Sequence, residues 1–166
     1  YTFHLREAGR LGNSSALLAL AELFNDPSYL DAAKTRGIAD DPMRVAELAE
    51  ILGRKKDAEH WLNVAAEAGD TDAMRRLIDE FERGDAQRSW MWFYLAEMLG
   101  TDLTKSHLQA FHDGGKNADE IYDDDVGGPL YVAGDEGVDL KALSEEGKRE
   151  ARKLADAIFQ SIQQSV

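Results

Sequence analysis

The feature that most limits what this chain can become is its resemblance to itself. Displaced by 57 positions, Leu5, Ala8, Gly12, Ala16, Leu20 and Phe24 fall on Leu62, Ala65, Gly69, Ala73, Leu77 and Phe81. Displaced by 31, Gly53, Trp61, Ala65 and Gly69 fall on Gly84, Trp92, Ala96 and Gly100. Repetition at roughly 20–50 residues with fixed small and large positions signals stacked supersecondary units. Apolar residues three and four apart across residues 1–112 make those units helical.

Each repeated position has a physical task. Trp61 and Trp92 supply bulk, and Ala65 and Ala96, one turn on, supply the space that lets two helices approach and interdigitate. Gly69 and Gly100 end those helices where a left-handed backbone is needed. Asp70 or Thr71 is placed to cap the helix that follows, which buries Ala73, Leu77 and Phe81 and stops at Gly84. Asp41-Pro42 marks another helix start. The spacing predicts four helical hairpins, at about 1–25, 28–53, 55–84 and 86–112. The stretch Asp31–Asp41 departs most from the pattern.

"DAEHWLNVAAEAGDTDAMRRLIDEFERGD" resembles the Sel-one-like repeat, a helical-hairpin relative of the tetratricopeptide repeat, through Ala58, Trp61, Ala65, Ala66, Gly69, Ala73, Leu77, Phe81 and Gly84. One unit matches almost completely and its neighbours in part, over about two thirds of the chain. The resemblance implies an all-α solenoid of about four units with a concave binding face. It also implies a protein–protein adaptor without catalytic residues of its own.

After His112 the period breaks. Residues 113–139 hold nine acids, one lysine and six glycines, which cannot sustain a regular helix. Ile121, Tyr122, Val126, Leu130, Tyr131, Val132 and Val138 are too many apolar residues for a disordered tail. The expectation for 113–143 is an ordered, irregular, acidic excursion with a strand-like piece at Leu130–Val132. Tyr122 and Val126 are expected to dock it, with Gly127, Gly128 and Pro129 turning the chain. From Ser144 helical spacing returns. Gly147, Ala151, Leu154, Ala155, Ile158, Phe159 and Ile162 form one face of a helix over 144–166, capped by Ser144 and suited to covering the end of the stack. The three segments are read as one continuous domain.

The block from "LGTDLT" to "GDEGVDL" is similar to a C-terminal module that accompanies such repeats in Gram-negative bacterial proteins of unassigned function. Some bacterial Sel-one-like proteins are periplasmic immunity proteins encoded beside lipase effectors of the type VI secretion system. The resemblance thus implies a periplasmic inhibitor whose partner is a secreted lipase effector with a basic surface.

Charge narrows the partners independently. With 32 acids against 19 bases the chain carries a net charge of −13. Nucleic-acid binding needs clustered Lys and Arg, and anionic membranes repel such a surface. A basic protein surface would instead be steered towards it. The lack of cysteine excludes disulfides, thiolate zinc sites and a Cys nucleophile. The chain begins at Tyr1 rather than Met, so the absence of a signal peptide carries no information.

No chemical motif survives inspection. Counted as a calcium loop from Asp123, Asp125 stands at position 3 and Gly128 at 6, but Gly127 at 5 and Gly134 at 12 remove a side-chain ligand and the closing carboxylate. A non-standard cation site among the acids of 113–125 stays open. His107 and His112, five apart, would face away from one another on a helix. His112 stands where the repeat wants its aromatic and reads as a packing or cap residue. "GNSSA" at 12–16 reads as a helix cap rather than a nucleophile turn, and Gly147-Lys148 lacks the rest of a phosphate loop. The reading is therefore of a non-enzyme without cofactor or metal. Its partner-binding candidates are Tyr122, Asp123, Asp124 and Asp125. Trp90 and Phe93 join them because they cannot both share the core face with Trp92. The alternatives are a structural part of a larger repeat protein and, behind it, a metal-dependent enzyme.

Overall fold

Capped helices joined by tight turns build the first hundred residues of the computed structural model, which describes residues 1–38 and 40–166. They are α1 (Thr2–Arg10), α2 (Ser14–Phe24), α3 (Pro27–Arg36), α4 (Pro42–Ile51), α5 (Lys55–Glu67), α6 (Thr71–Arg76) and α7 (Ala86–Met98). Two strands, β1 (Gln109–His112) and β2 (Leu130–Ala133), and a final helix α8 (Glu145–Gln164) complete the order. The molecule is predominantly helical. Among the described residues, no helix is long and apolar enough to cross a membrane.

Local chemistry fixes the helix ends. Asn13 accepts from the Ala16 amide, Asp41 from Met43, and Asp70 from both Asp72 and Ala73. Each side chain satisfies an amide that the first turn leaves without a partner, a contribution of about 1 kcal/mol. Gly69 and Gly100 take φ of 103° and 92° just past α5 and α7, a conformation that costs glycine little.

The apolar stripes meet in two clusters. Leu17, Leu18, Leu30, Val45, Leu48 and Ala58 form the first. Leu62, Met74, Leu77, Trp92 and Leu95 form the heart of the second, and Trp61 packs against both. Trp92, Leu62, Leu77 and Leu95 are fully buried. Each fully buried large side chain contributes about 1.5–3 kcal/mol relative to exposure.

Two expectations about the helices are corrected. The helix expected to run to Gly84 changes pitch instead. Residues Leu77–Phe81 form a π-helical turn, closed by the Glu82 amide donating to the Leu77 carbonyl at 2.8 Å. The hairpin expected over 86–112 has only its first helix, α7. Beyond Gly100 the chain is irregular and then extended, with β1 paired antiparallel to β2 from Gln109–Ala133 to His112–Leu130.

The long segment between α7 and α8 carries the chain back to the beginning of α7. The indole Nε1 of Trp90 donates to the Lys141 carbonyl at 2.7 Å, and the Lys148 ammonium lies over the Trp90 ring. One turn further along both helices, the Arg152 guanidinium lies over Tyr94. α8 therefore runs parallel to α7, whereas the second helix of a hairpin would run antiparallel. It buries Ala151 and Ala155 and packs Ile158, Phe159 and Ile162 on the second cluster. Leu154, expected on that face, is 48% exposed because it falls at the edge of the stripe.

The returning segment is held by backbone approach and one buried cation. The Val138 amide donates to the Leu103 carbonyl at 2.9 Å, and His107 to Asp135 at 2.8 Å. A Cβ at Gly137 would collide with the Thr104 carbonyl, so no larger residue fits this crossing. Arg75, on α6 and only 8% exposed, donates through one terminal nitrogen to the carbonyls of Glu136 at 2.7 Å and Leu103 at 3.4 Å. Leu103 and Val138 enter the core beside it.

Candidate functional site

Residues 113–129 form an ordered acidic turn fastened to the end of β1. Its centre is His112, 4% exposed, whose Nε2 accepts the Asp123 amide at 3.0 Å. The backbone of His112 also donates to the Glu120 carbonyl and accepts from the Asp119 amide. Tyr122 lies against the imidazole with ring centroids 4.7 Å apart, and its amide donates to the Ala110 carbonyl. The packing role expected of His112 is thus exercised at the end of a strand, not on a helix, and His107 lies in the preceding loop.

The aspartates follow from that anchor. The Asp123 carboxylate accepts the Asp125 amide at 2.9 Å, and its carbonyl accepts the amides of Val126 and Gly127. Gly127 and Gly128 then adopt φ of 68° and 93°, which reverses the chain before β2. Asp123, Asp124 and Asp125 are exposed, and none of them forms an ion pair among the described residues. Val126, expected to dock the turn, is 55% exposed. The anchoring is done by Tyr122 and His112, and further along by Val138. On the far side, the Tyr131 hydroxyl donates to Asp119 at 2.8 Å, which raises the tyrosine pKa by stabilising its protonated form.

Trp90 and Phe93 lie elsewhere, on α7 where α8 begins. Both are half-buried, in an edge-to-face pair with centroids 5.6 Å apart. Trp90 is engaged by the Lys141 carbonyl and the Lys148 ammonium, so its polar edge and one ring face already have partners within the chain. The two groups of candidates belong to separate parts of the fold: the aspartates to the strand-linked turn, the aromatics to the junction of α7 and α8.

A third place was not legible in the sequence. A cleft of about 700 Å³ opens between the π-helical turn and residues 135–141. Asp79, Asp135, Glu136 and Asp139 line it, and none of their carboxylates has an ion-pair or hydrogen-bond partner among the described residues. Arg75, Arg83 and Lys141 line the same cleft and bring three positive charges to it, although their hydrogen bonds run to main-chain carbonyls. Arg75 holds Glu136 and Leu103, the Arg83 Nε donates to the Asp79 carbonyl at 2.6 Å, and Lys141 donates to the Arg83 carbonyl. Glu82 is separately paired with Arg88 at 2.8 Å. Desolvation holds the Asp79 carboxyl above its ordinary pKa; Glu80 and Asp139 reinforce the shift, and Arg75 and Arg83 oppose it.

Among the described residues, no group of three His, Asp or Glu side chains is placed to hold a metal ion. No protein-family profile matches the chain, and neither a curated protein nor a solved structure matches it.

Proposed function

We propose that this chain is a non-catalytic protein-binding scaffold, its helix pairs stacked as a solenoid of Sel-one-like units. The observation that carries the reading is the acidic turn. Three adjacent carboxylates, Asp123–Asp125, stand exposed and, among the described residues, without an ion pair, on a backbone pinned by His112 and Tyr122. An ordered turn loses less conformational entropy on binding than a disordered acidic tail would. The net charge of −13 adds long-range attraction towards a basic partner.

In its most specific form, the proposal is an immunity-type inhibitor in the periplasm that occludes a lipase effector of the type VI secretion system. That form is supported by the family resemblance of the repeats and of the C-terminal block. Co-purification with the product of the neighbouring gene tests it. A stable complex is expected, weakened about tenfold or more by replacing Asp123–Asp125 with Asn and weakened further by added salt. The absence of a complex, or a complex indifferent to both changes, would refute it.

One observation favours a second reading, a structural part of a larger repeat protein. The first hairpin leaves Tyr1, Phe3, Leu11, Leu23 and Phe24 exposed, as expected of a repeat that another repeat covers. The two readings differ in whether that surface or the acidic turn makes the contact, and alanine substitutions in each separate them.

A further inference from the structure

We infer that the open edge of β2 takes up an extended segment of a protein partner as a further strand, one that is apolar at its centre and basic at its ends. The inference rests on the protein-binding reading above and names the kind of segment that makes the contact.

The hydrogen-bond ladder leaves one edge of this small sheet unused. The Asp113 amide donates to the Pro129 carbonyl at 2.9 Å, and the His107 amide to the Asp135 carbonyl at 2.8 Å. These bonds continue the β1–β2 register at both ends, so the odd-numbered residues of β2 turn their main-chain groups to β1. Those of Leu130 and Val132 point the other way. β1 shows the same alternation. There the outward groups are used: Ala110 accepts from the Tyr122 amide, and His112 bonds Glu120 and Asp119. β1 is therefore bonded on both sides and β2 on one. Among the described residues, the main-chain groups of Leu130 and Val132 have no hydrogen-bond partner.

Nothing within the strand guards that edge. Edge strands are usually blunted by a charge, a proline, a bulge or a covering element. β2 reads Leu130-Tyr131-Val132-Ala133, pairs without interruption, and is exposed along its whole length. Leu130 and Val132 form an apolar row on one face, and Tyr131, stacked on Phe111, stands on the other. An incoming strand thus finds main-chain partners and side-chain rows together, as strand addition requires. The edge is also held in place before binding, by the ladder and by the Tyr131–Asp119 bond, which keeps the ordering cost low.

Charge selects the occupant. Exposed acids stand at both ends of the strand: Asp123–Asp125 in the turn that leads into it, and Asp135 and Glu136 where it leaves. A second copy paired edge to edge would set acid against acid in either orientation, and the net charge of −13 on each chain adds to the repulsion. A short apolar run flanked by Lys or Arg meets attraction at both ends instead.

The test adds the acetylated, amidated peptide Lys-Lys-Val-Thr-Val-Thr-Val-Lys-Lys to the full chain and follows backbone amides by two-dimensional NMR and hydrogen exchange. Saturable shifts are expected over residues 130–133, and the Leu130 and Val132 amides should exchange about tenfold or more slowly at saturation. An added strand bonds through alternate amides, so N-methylating either the valines or the threonines should abolish binding while the other pattern spares it. The peptide with Glu in place of Lys should not bind. Val132→Pro removes an outward amide and none that the β1 ladder uses, and should weaken binding about tenfold or more. If that variant disturbs the sheet, the N-methylated peptides decide the matter on the native chain. Binding that survives both methylation patterns, that the Glu peptide reproduces, or that leaves the Leu130 and Val132 amides exchanging freely overturns the inference. So does a dimer of the chain alone that Val132→Pro dissociates, which would give the edge to a second copy. If the neighbouring-gene product binds and is indifferent to Val132→Pro, this inference falls and the protein-binding reading stands. If the peptide binds as described and that product does not bind, the specificity of the edge stands and the reading above falls.

Discussion

Arg75 fastens the returning segment to the helices, and replacing it with Met measures how much that attachment matters. Methionine keeps the alkyl bulk against α6 while removing the guanidinium. The bond to Glu136 at 2.7 Å is short and charge-assisted, and that to Leu103 at 3.4 Å is near the limit of a hydrogen bond. One strong charged hydrogen bond contributes about 1.5–3 kcal/mol, and the long one adds a fraction of that. Two effects offset the loss. Leu103 keeps its bond from the Val138 amide, and a buried cation with an unpartnered Nε is removed from the interior. The balance is a destabilisation of about 2 kcal/mol, a fall in the urea midpoint of roughly 1 M for a slope near 2 kcal/mol/M. Hydrogen exchange should locate the loss. The amides of His107 and Val138, bonded across the segment, should exchange about thirtyfold faster, with a smaller change in α2 and α4. An unchanged midpoint with unchanged protection at 107 and 138 would refute the pin. So would a loss spread evenly over all helices.

Four further expectations concern other single contacts. Gly137→Ala drives a methyl into the Thr104 carbonyl and should cost about 1–3 kcal/mol, read as a lower melting temperature by circular dichroism. Trp90→Phe removes the donor to the Lys141 carbonyl and should cost about 1 kcal/mol, with faster exchange in the first turn of α8. Asp26 and Asp102 are held below their ordinary pKa of 3.8 by hydrogen bonds from Ser28 and Thr104. Their contribution is present above that value and is lost as pH falls through the lower folded values. Asp79 has the opposite sign: its raised folded pKa means that the unliganded protein binds this proton more tightly than the unfolded chain does. Asp79→Asn should therefore raise the urea midpoint at pH 7 and leave it unchanged near pH 3, a difference that paired denaturation curves resolve.

Periodicity and capping residues carried most of the helical half. Trp61, Ala65, Gly69 and Asp70 each do locally what their spacing implies, because helix ends and small–large pairs are decided within a few residues. The missing helix after Gly100 shows where that logic stops. Residues 101–112 fall within the last hairpin that the spacing predicts. Leu103 is in fact a core residue beside Val138, whereas Leu108 is exposed. Likewise Val126 and Val138 look alike in the sequence, but only Val138 lies where the chain returns to the core. For the candidate site, the acidic turn was visible as composition, while its anchor on His112 required the pairing of β1 with β2. The cleft was invisible because Asp79 and Asp139 are brought together only by the crossover, and the π-helical turn has no signature in local spacing.

The parallel arrangement of α7 and α8 has a consequence for how the molecule folds. The early helices meet neighbours a few residues away, contacts that form quickly and cost little loop closure. α8 reaches α7 only after residues 99–144 are looped back, a closure about 2–3 kcal/mol more costly than that of a three-residue turn. Until then, the α7 face bearing Trp90, Phe93 and Tyr94 stays wet. During synthesis α8 emerges after the other helices described, so the chain passes through a stage with those helices formed and this aromatic face open. Aggregation during expression should therefore respond most to changes that slow the return, Arg75 and Gly137 among them, rather than to changes in the early hairpins.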